Sequence, residues 1–198
     1  MILYVCAMED EARLIKNELS QHEMLIITGV GKVNASRALT EALVKYPIDI
    51  IINLGFAGAS GDYDVCDVVL IEEARYHDVD LTMFNYEKGQ IPGYPASFKS
   101  DKHATSIVKK RLQTLKLGVL MTGDYFMTSH YDQSLIYDME GASLFHVAHY
   151  YQKPMLSLKV ISDIVGSKDH LKAYKAFEAQ EGANAILNIY KALKGGLQ

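Results

Sequence analysis

The stretch Met155-Leu156-Ser157-Leu158-Lys159-Val160-Ile161-Ser162-Asp163 decides how this chain is read. A largely apolar run of strand length ends on one carboxylate. In α/β sheets ligands gather beyond the carboxyl ends of the strands, so an acid there occupies a site-like position. Two other acidic segments punctuate the chain: Ala7-Met8-Glu9-Asp10-Glu11-Ala12 follows the first apolar run, and Tyr137-Asp138-Met139-Glu140-Gly141 precedes a helical stretch. The strand ends are expected to converge on these carboxylates.

Outward from that segment, apolar runs of strand length alternate with stretches of helical periodicity. Strands are predicted over 2–7, 24–28, 49–54, 65–76, 117–122 and 155–162, and helices over 9–20, 32–46, 101–114, 141–151 and 170–193. Ala12, Leu14, Ile15 and Leu19 offer the inward face of the first helix, and Pro47 ends the second. Gly29 and Gly31 read as a turn, and Gly55-Phe56-Ala57-Gly58-Ala59 as a loop whose backbone can approach a ligand closely. The segment from Tyr76 to about Lys99, rich in Gly, Pro and Tyr, exceeds the usual loop length, which points to function or subunit contact. The order is that of an α/β protein with a mixed, largely parallel sheet. With no internal repeat or linker, residues 1–198 are expected to form one domain.

Composition narrows the function classes. A chain of 198 residues, 49% of them hydrophobic, suits one domain with a substantial core. The formal charge of −4 argues against a nucleic-acid or acidic-membrane surface, because phosphate binding requires a clustered basic excess. Two cysteines, Cys6 and Cys66, suit a reduced compartment better than a disulfide framework. No run is long and apolar enough to span a bilayer, and the start lacks a basic segment followed by an apolar one. A soluble, cytoplasmic protein is expected.

Eight segments carry a family resemblance. In chain order they are Met8-Glu9-Asp10-Glu11, Thr28-Gly29-Val30-Gly31-Lys32-Val33, Asn53-Leu54-Gly55-Phe56-Ala57-Gly58, Glu73-Ala74-Arg75-Tyr76-His77-Asp78, Gly89-Gln90-Ile91-Pro92-Gly93, Thr122-Gly123-Asp124, Asp138-Met139-Glu140-Gly141 and Ile161-Ser162-Asp163. Together they resemble the 5'-methylthioadenosine/S-adenosylhomocysteine nucleosidases of the nucleoside phosphorylase superfamily. The resemblance implies a three-layer sandwich around a mixed, largely parallel twisted β-sheet, cleavage of a 5'-modified adenine nucleoside, a place in methionine salvage, and no cofactor.

Cleaving an N-glycosidic bond requires stabilising an electron-poor sugar while the purine leaves neutral after protonation at N7. A carboxylic acid held partly desolvated can donate that proton, which makes Asp163 the candidate acid and agrees with its place in the family's Ser-Asp motif. Ser162 is placed to orient that acid or the base. The resemblance implies that Glu11 activates the nucleophilic water. A phosphorylase would need an anion pocket, yet Glu9, Asp10 and Glu11 precede the nearest arginine, Arg13, so phosphate would be repelled. Glu140 fits a ribose diol anchor, since one carboxylate accepts from two neighbouring hydroxyls and favours a cationic transition state. The resemblance further implies that Met139 packs on the ribose and Phe126 stacks on adenine, while the Met127 backbone reads its Watson–Crick edge. It also implies that Met8 and Thr28 line the ribose and water region. Phe84 and Pro92 match positions that reach a neighbouring subunit's pocket, which implies a homodimer.

The chain also departs from the family pattern. Only Gln21 to Ile27 separate the first helix from Thr28, where members insert a hairpin, and the stretch from Ser129 to Tyr137 is abbreviated. Ala173 takes the position of an aromatic over the base, with Tyr174 adjacent; Asp138 stands where Glu is commoner and Lys159 where Arg is commoner. Each motif has a structural reading too. Acids in a first helical turn favour the helix dipole, which accounts for Glu9 and Asp10. Gly29-Val30-Gly31-Lys32 lacks the Walker spacing and reads as a tight turn. His77, Asp78, Asp80, His130 and His146 match no metal-site spacing, so no metal is expected. Three alternatives stay open: a futalosine-type hydrolase, a purine nucleoside phosphorylase, and a non-catalytic adenine nucleoside-binding module.

Overall fold

A computed structural model describes residues 1–128 and 133–196. Its strands are β1 (Ile2–Cys6), β2 (Glu23–Ile27), β3 (Ile50–Ser60), β4 (Val68–Tyr76), β5 (Phe98–Lys99), β6 (Lys116–Thr122), β7 (Leu135–Asp138) and β8 (Met155–Ile164). The helices are α1 (Glu9–Ala12), α2 (Lys32–Lys45), α3 (Lys102–Arg111), α4 (Gly141–Tyr150), α5 (His170–Phe177) and α6 (Ala183–Leu193), with a π-helical turn, Glu178–Gly182, joining the last two.

The strands form one mixed sheet in the order β2-β1-β3-β7-β6-β4-β5, with β8 pairing both β3 and β4. Strand β3 gives one edge to β8 and divides the other between β1 and β7, while β4 gives one edge to β6 and divides the other between β8 and β5. The ring β3-β7-β6-β4-β8 therefore closes on itself, and only β2 and β5 end the path. Alternation along the strands feeds two cores. On one side Ile51, Ala57 and Ile161 pack with Ala35 and Leu39 of α2 and Ala142 and Phe145 of α4. On the other, Ile52, Leu54, Leu158 and Val160 pack with Ala12 of α1, Val108 of α3 and Ile186 and Ile189 of α6. Helices thus cover both faces, giving the three-layer α/β architecture expected from the sequence. Among the described residues no helix is long and apolar enough to cross a membrane.

Four elements differ from the sequence reading. The helix predicted over 9–20 is a single α-turn followed by a 3-10 turn at Ile15–Asn17. Ala12 and Ile15 are fully buried, whereas Leu14 and Leu19 are half-buried, so two anchors three residues apart suffice to dock this short segment. The Gly55-Phe56-Ala57-Gly58-Ala59 stretch is strand rather than loop, paired with β8 along its length. Its glycines admit neighbouring side chains: a Cβ on Gly55 would lie 2.8 Å from Glu11 Oε1, and one on Gly58 would lie 3.1 Å from Asp163 Oδ2. Strand β7, four residues long, gave no periodic signal of its own. The last helix is broken by the π-turn where Gly182 lies under the Phe56 ring; a Cβ there would come within 2.3 Å of Cζ. The abbreviated stretch beginning at Ser129 falls partly outside the described residues.

Candidate active site

Strand β1 ends at Cys6, and the turn after it brings Glu11 back over the strand ends. Glu11 Oε2 accepts from the backbone N–H of Ala7 at 2.7 Å and of Met8 at 2.9 Å, while Oε1 accepts from Phe56 N–H on β3 at 2.8 Å. The acidic first turn is thus more than a helix-dipole device: one of its acids is fixed to two elements. Burial pushes the Glu11 carboxyl above the usual range, against the pull of Lys159 and of these N–H groups. A carboxylate raised in this way holds a proton more readily, as a general base must.

Asp163 owes its direction to an irregularity. Ala57 pairs with Ile161 but Gly58 pairs with Asp163, leaving Ser162 as an extra residue on β8. Such a bulge re-aims the following side chain. Ser162 Oγ lies 2.7 Å from Asp163 Oδ1 and 3.1 Å from the Ala57 carbonyl, and Asp163 is 1% exposed.

The third carboxylate sits at the start of α4. Glu140 Oε1 accepts from Gly31 N–H at 2.8 Å, across the turn that follows β2. Burial, joined by the neighbouring Asp138 charge, pushes the Glu140 carboxyl up to about 7. Asp138 accepts from Thr122 Oγ1 at 2.5 Å and from Gly141 N–H at 2.8 Å, and lies 2.9 Å from Lys159 Nζ. For Lys159, burial works to lower the ammonium's affinity for its proton, but Asp138, Glu11 and Glu140 outweigh it and hold the group above its usual range.

A cavity of about 210 Å³ gathers Met8, Glu11, Phe126, Met139, Glu140, Ser162 and Asp163, with Tyr137, Val30, Leu171 and Tyr174 completing its wall. Met127 lines a contiguous recess that shares Phe126, Met139 and Asp163. Eight of the eleven residues singled out from the sequence line this cavity or its recess, and the other three, Thr28, Phe84 and Pro92, do not. Thr28 is buried beside the cavity without lining it, its N–H bonded to the Cys6 carbonyl at 3.0 Å. Phe84, 62% exposed, and Pro92, also exposed, do not line the cavity of their own chain. A larger open groove of about 590 Å³ beside β5 and the end of α4 holds none of these residues.

The sequence marks Lys159 as a departure from the family pattern but gives it no role. A lysine inside an apolar strand was the available signal, since a charge there needs partners. Tyr137 gave no such signal. Tyr174 does take a place in the wall: its ring meets Phe126 edge-on at 5.9 Å between centroids, and its hydroxyl donates to Glu178 Oε1 at 2.9 Å. Among the described residues no group of three or more His, Cys, Asp and Glu side chains could hold a metal ion, and His130 lies outside them.

The sequence pattern of the Phosphorylase superfamily matches residues 2–194. The 5'-methylthioadenosine/S-adenosylhomocysteine nucleosidase of Bacillus cereus (strain G9842) is 32% identical over 229 aligned positions that cover 98% of this chain and 99% of that protein. The chain belongs to this nucleosidase family. The alignment is longer than the 198-residue chain, so gaps fall on the side of this chain, in keeping with a shortened nucleosidase. The Streptococcus pneumoniae nucleosidase, solved with the transition-state inhibitor MT-ImmA, superposes with a TM-score of 0.91 at 26% identity, covering 100% of this chain and 99% of that one. The Streptococcus pyogenes nucleosidase, solved with 5-methylthiotubericidin, gives a TM-score of 0.91 at 26% identity, with 100% and 97% covered.

Proposed function

We propose that this protein is an N-glycosidic hydrolase, a single catalytic domain that releases adenine from 5'-methylthioadenosine, S-adenosylhomocysteine or a related 5'-modified adenine nucleoside. The observation that carries the choice of water over phosphate is the charge of the cavity. Glu11, Asp138, Glu140 and Asp163 all line it, and among the described residues no lysine or arginine does. The nearest buried cation, Lys159, is already engaged by Asp138. A phosphate dianion would enter against these carboxylates in a poorly screened cleft, whereas an oxocarbenium-like sugar is favoured there.

The family resemblance, together with the placement of the cavity residues, supports the following roles. Asp163 protonates the purine at N7 as the bond from the sugar C1' to N9 breaks. Glu11 takes a proton from the water that adds to C1', so that neutral adenine and a free sugar leave. Glu140 clamps the 2'- and 3'-hydroxyls, and Met139 and Met8 pack on the ribose, with Thr28 behind them. Phe126 stacks on the base, Met127 reads its edge through the backbone, and Ser162 holds Asp163 in orientation. Phe84 and Pro92 cover the 5' group of a second subunit in a homodimer. A cytoplasmic role in methionine salvage accords with this substrate class.

The test is adenine release by purified protein from 5'-methylthioadenosine, S-adenosylhomocysteine and an aminodeoxyfutalosine-type nucleoside. Turnover of either of the first two is expected. Turnover of the aromatic 5' nucleoside alone would transfer the protein to the futalosine type, and tight binding without release from any of the three would make it a binding module.

A further inference from the structure

Resting on the roles just proposed, we infer that Lys159 is a positioning residue for both functional carboxylates, its ammonium acting on Glu11 by its charge across Gly55 and on Glu140 through the turn that Asp138 pins. The two halves of the site come from distant segments, β1 to α1 and β7 to α4, and Lys159 of β8 pairs with Asp138 in one and acts by its charge on Glu11 in the other.

Lys159 is 2% exposed and stands opposite Gly55 in the β3–β8 register. A Cβ on Gly55 would lie 2.8 Å from Glu11 Oε1 and 3.2 Å from Lys159 Nζ, so both charged heads crowd over one Cα. The absent side chain at Gly55 is what leaves room for both. Toward the other half, Lys159 Nζ lies 2.9 Å from Asp138 Oδ2. The same oxygen accepts from Gly141 N–H at 2.8 Å, and the other oxygen accepts from Thr122 Oγ1, which in turn accepts from Ala142 N–H at 2.9 Å. These bonds fasten the backbone on either side of Met139 and Glu140. The Glu140 carbonyl is held as well, accepting from Ser143 and Leu144 N–H at 2.9 and 3.1 Å. The carboxylate that meets the ribose therefore stands on a turn with no slack, and the buried ammonium is the charge that keeps Asp138 in place to hold it.

The cation has a second consequence. Its field lowers the proton affinity of Glu11 and of Glu140, opposing the burial that raises both. Without it, Glu11 would stay protonated to higher pH and the base would be lost from the lower end of the working range.

A plain fold staple would share the ion pair with Asp138 but would leave the titration of Glu11 unchanged. The experiment compares the wild type with Lys159→Arg, Lys159→Met and the double variant Lys159→Met/Asp138→Asn, which removes cation and partner together and so avoids stranding a buried carboxylate. Glu11 is followed by carboxyl ¹³C NMR titration, assigned with Glu11→Gln, and adenine release is measured as kcat and KM against pH. In both methionine variants Glu11 is expected to titrate about one pH unit or more higher, a tenfold change in proton affinity, with the acid limb of kcat moving equally. KM for the nucleoside is expected to rise about tenfold as Glu140 loses its setting, a change worth roughly 1.4 kcal/mol. Lys159→Arg restores both. A folded double variant whose Glu11 titrates as in the wild type would overturn the inference. The NMR reading needs no turnover, so an inactive wild type would refute the proposed reaction and leave this test standing.

Discussion

Asp163 and Glu140 are both buried carboxylates, yet the proposed reaction asks opposite things of them: one is to give up a proton to the base, the other to accept hydrogen bonds from the sugar hydroxyls. Asp163→Asn keeps the shape and removes the proton, so adenine release is expected to fall about 10²- to 10⁴-fold while binding of the intact nucleoside persists. Steady-state release combined with calorimetric binding checks this, and retained turnover would sink the acid assignment. Glu140 offers a test through stability. Its carboxyl is raised from an ordinary 4.5 to about 7, so between those values the folded state binds more protons than the unfolded chain. Folding stability contributed by this group is complete below about 4.5 and is lost as pH rises through about 7. Glu140→Gln is therefore expected to melt above the wild type near pH 8, with the gain shrinking as pH falls toward 4.5, even as nucleoside binding weakens. A gain that does not change with pH would show that the carboxyl carries no such burden. At this scale the acids were legible because they stand at strand and helix ends. Lys159 was not, because its role depends on Asp138 and Glu11, which only the folded sheet brings beside it.

The strands that build the site are irregular where the chemistry sits. Gly55 makes room for Glu11 and Lys159, and the extra residue Ser162 turns Asp163 toward Gly58. Gly55→Ala should cost about 1–3 kcal/mol by overpacking, read from chemical denaturation, and should lower kcat further by displacing Glu11. Wild-type activity in that variant would mean that the close approach does not matter to the reaction. Helix α3 provides the contrast. Asp101 caps it by accepting from Ala104 N–H at 2.8 Å, far along the chain from any cavity residue. Asp101→Ala is expected to cost about 1 kcal/mol of stability with adenine release per folded molecule unchanged. Regular elements such as α2 and β6 were legible because their apolar spacing is their reason for folding. The glycine-rich part of β3 read as loop because its spacing answers to neighbouring side chains, and α1 read as too long because tertiary anchors at Ala12 and Ile15 replaced helical length.

For the whole molecule, the closed ring of β3, β7, β6, β4 and β8 helps gather distant chain segments around one acidic cavity, and the family read from the sequence matches over residues 2–194. The long segment after β4 leaves Met83 82% and Phe84 62% exposed, which is unusual for large apolar side chains unless a partner covers them. A mass of twice 22.1 kDa by light scattering is expected, and Phe84→Asp should yield the monomer with impaired turnover. A wild type that is monomeric and fully active would remove the neighbouring subunit from the site. The account as a whole rests on water as the nucleophile in a cavity that repels phosphate. The most direct test is the yield of adenine and sugar from 5'-methylthioadenosine as phosphate is varied from none to a large excess. Equal amounts of adenine and free sugar at a rate independent of phosphate are predicted, whereas a sugar 1-phosphate formed only when phosphate is present would contradict the account.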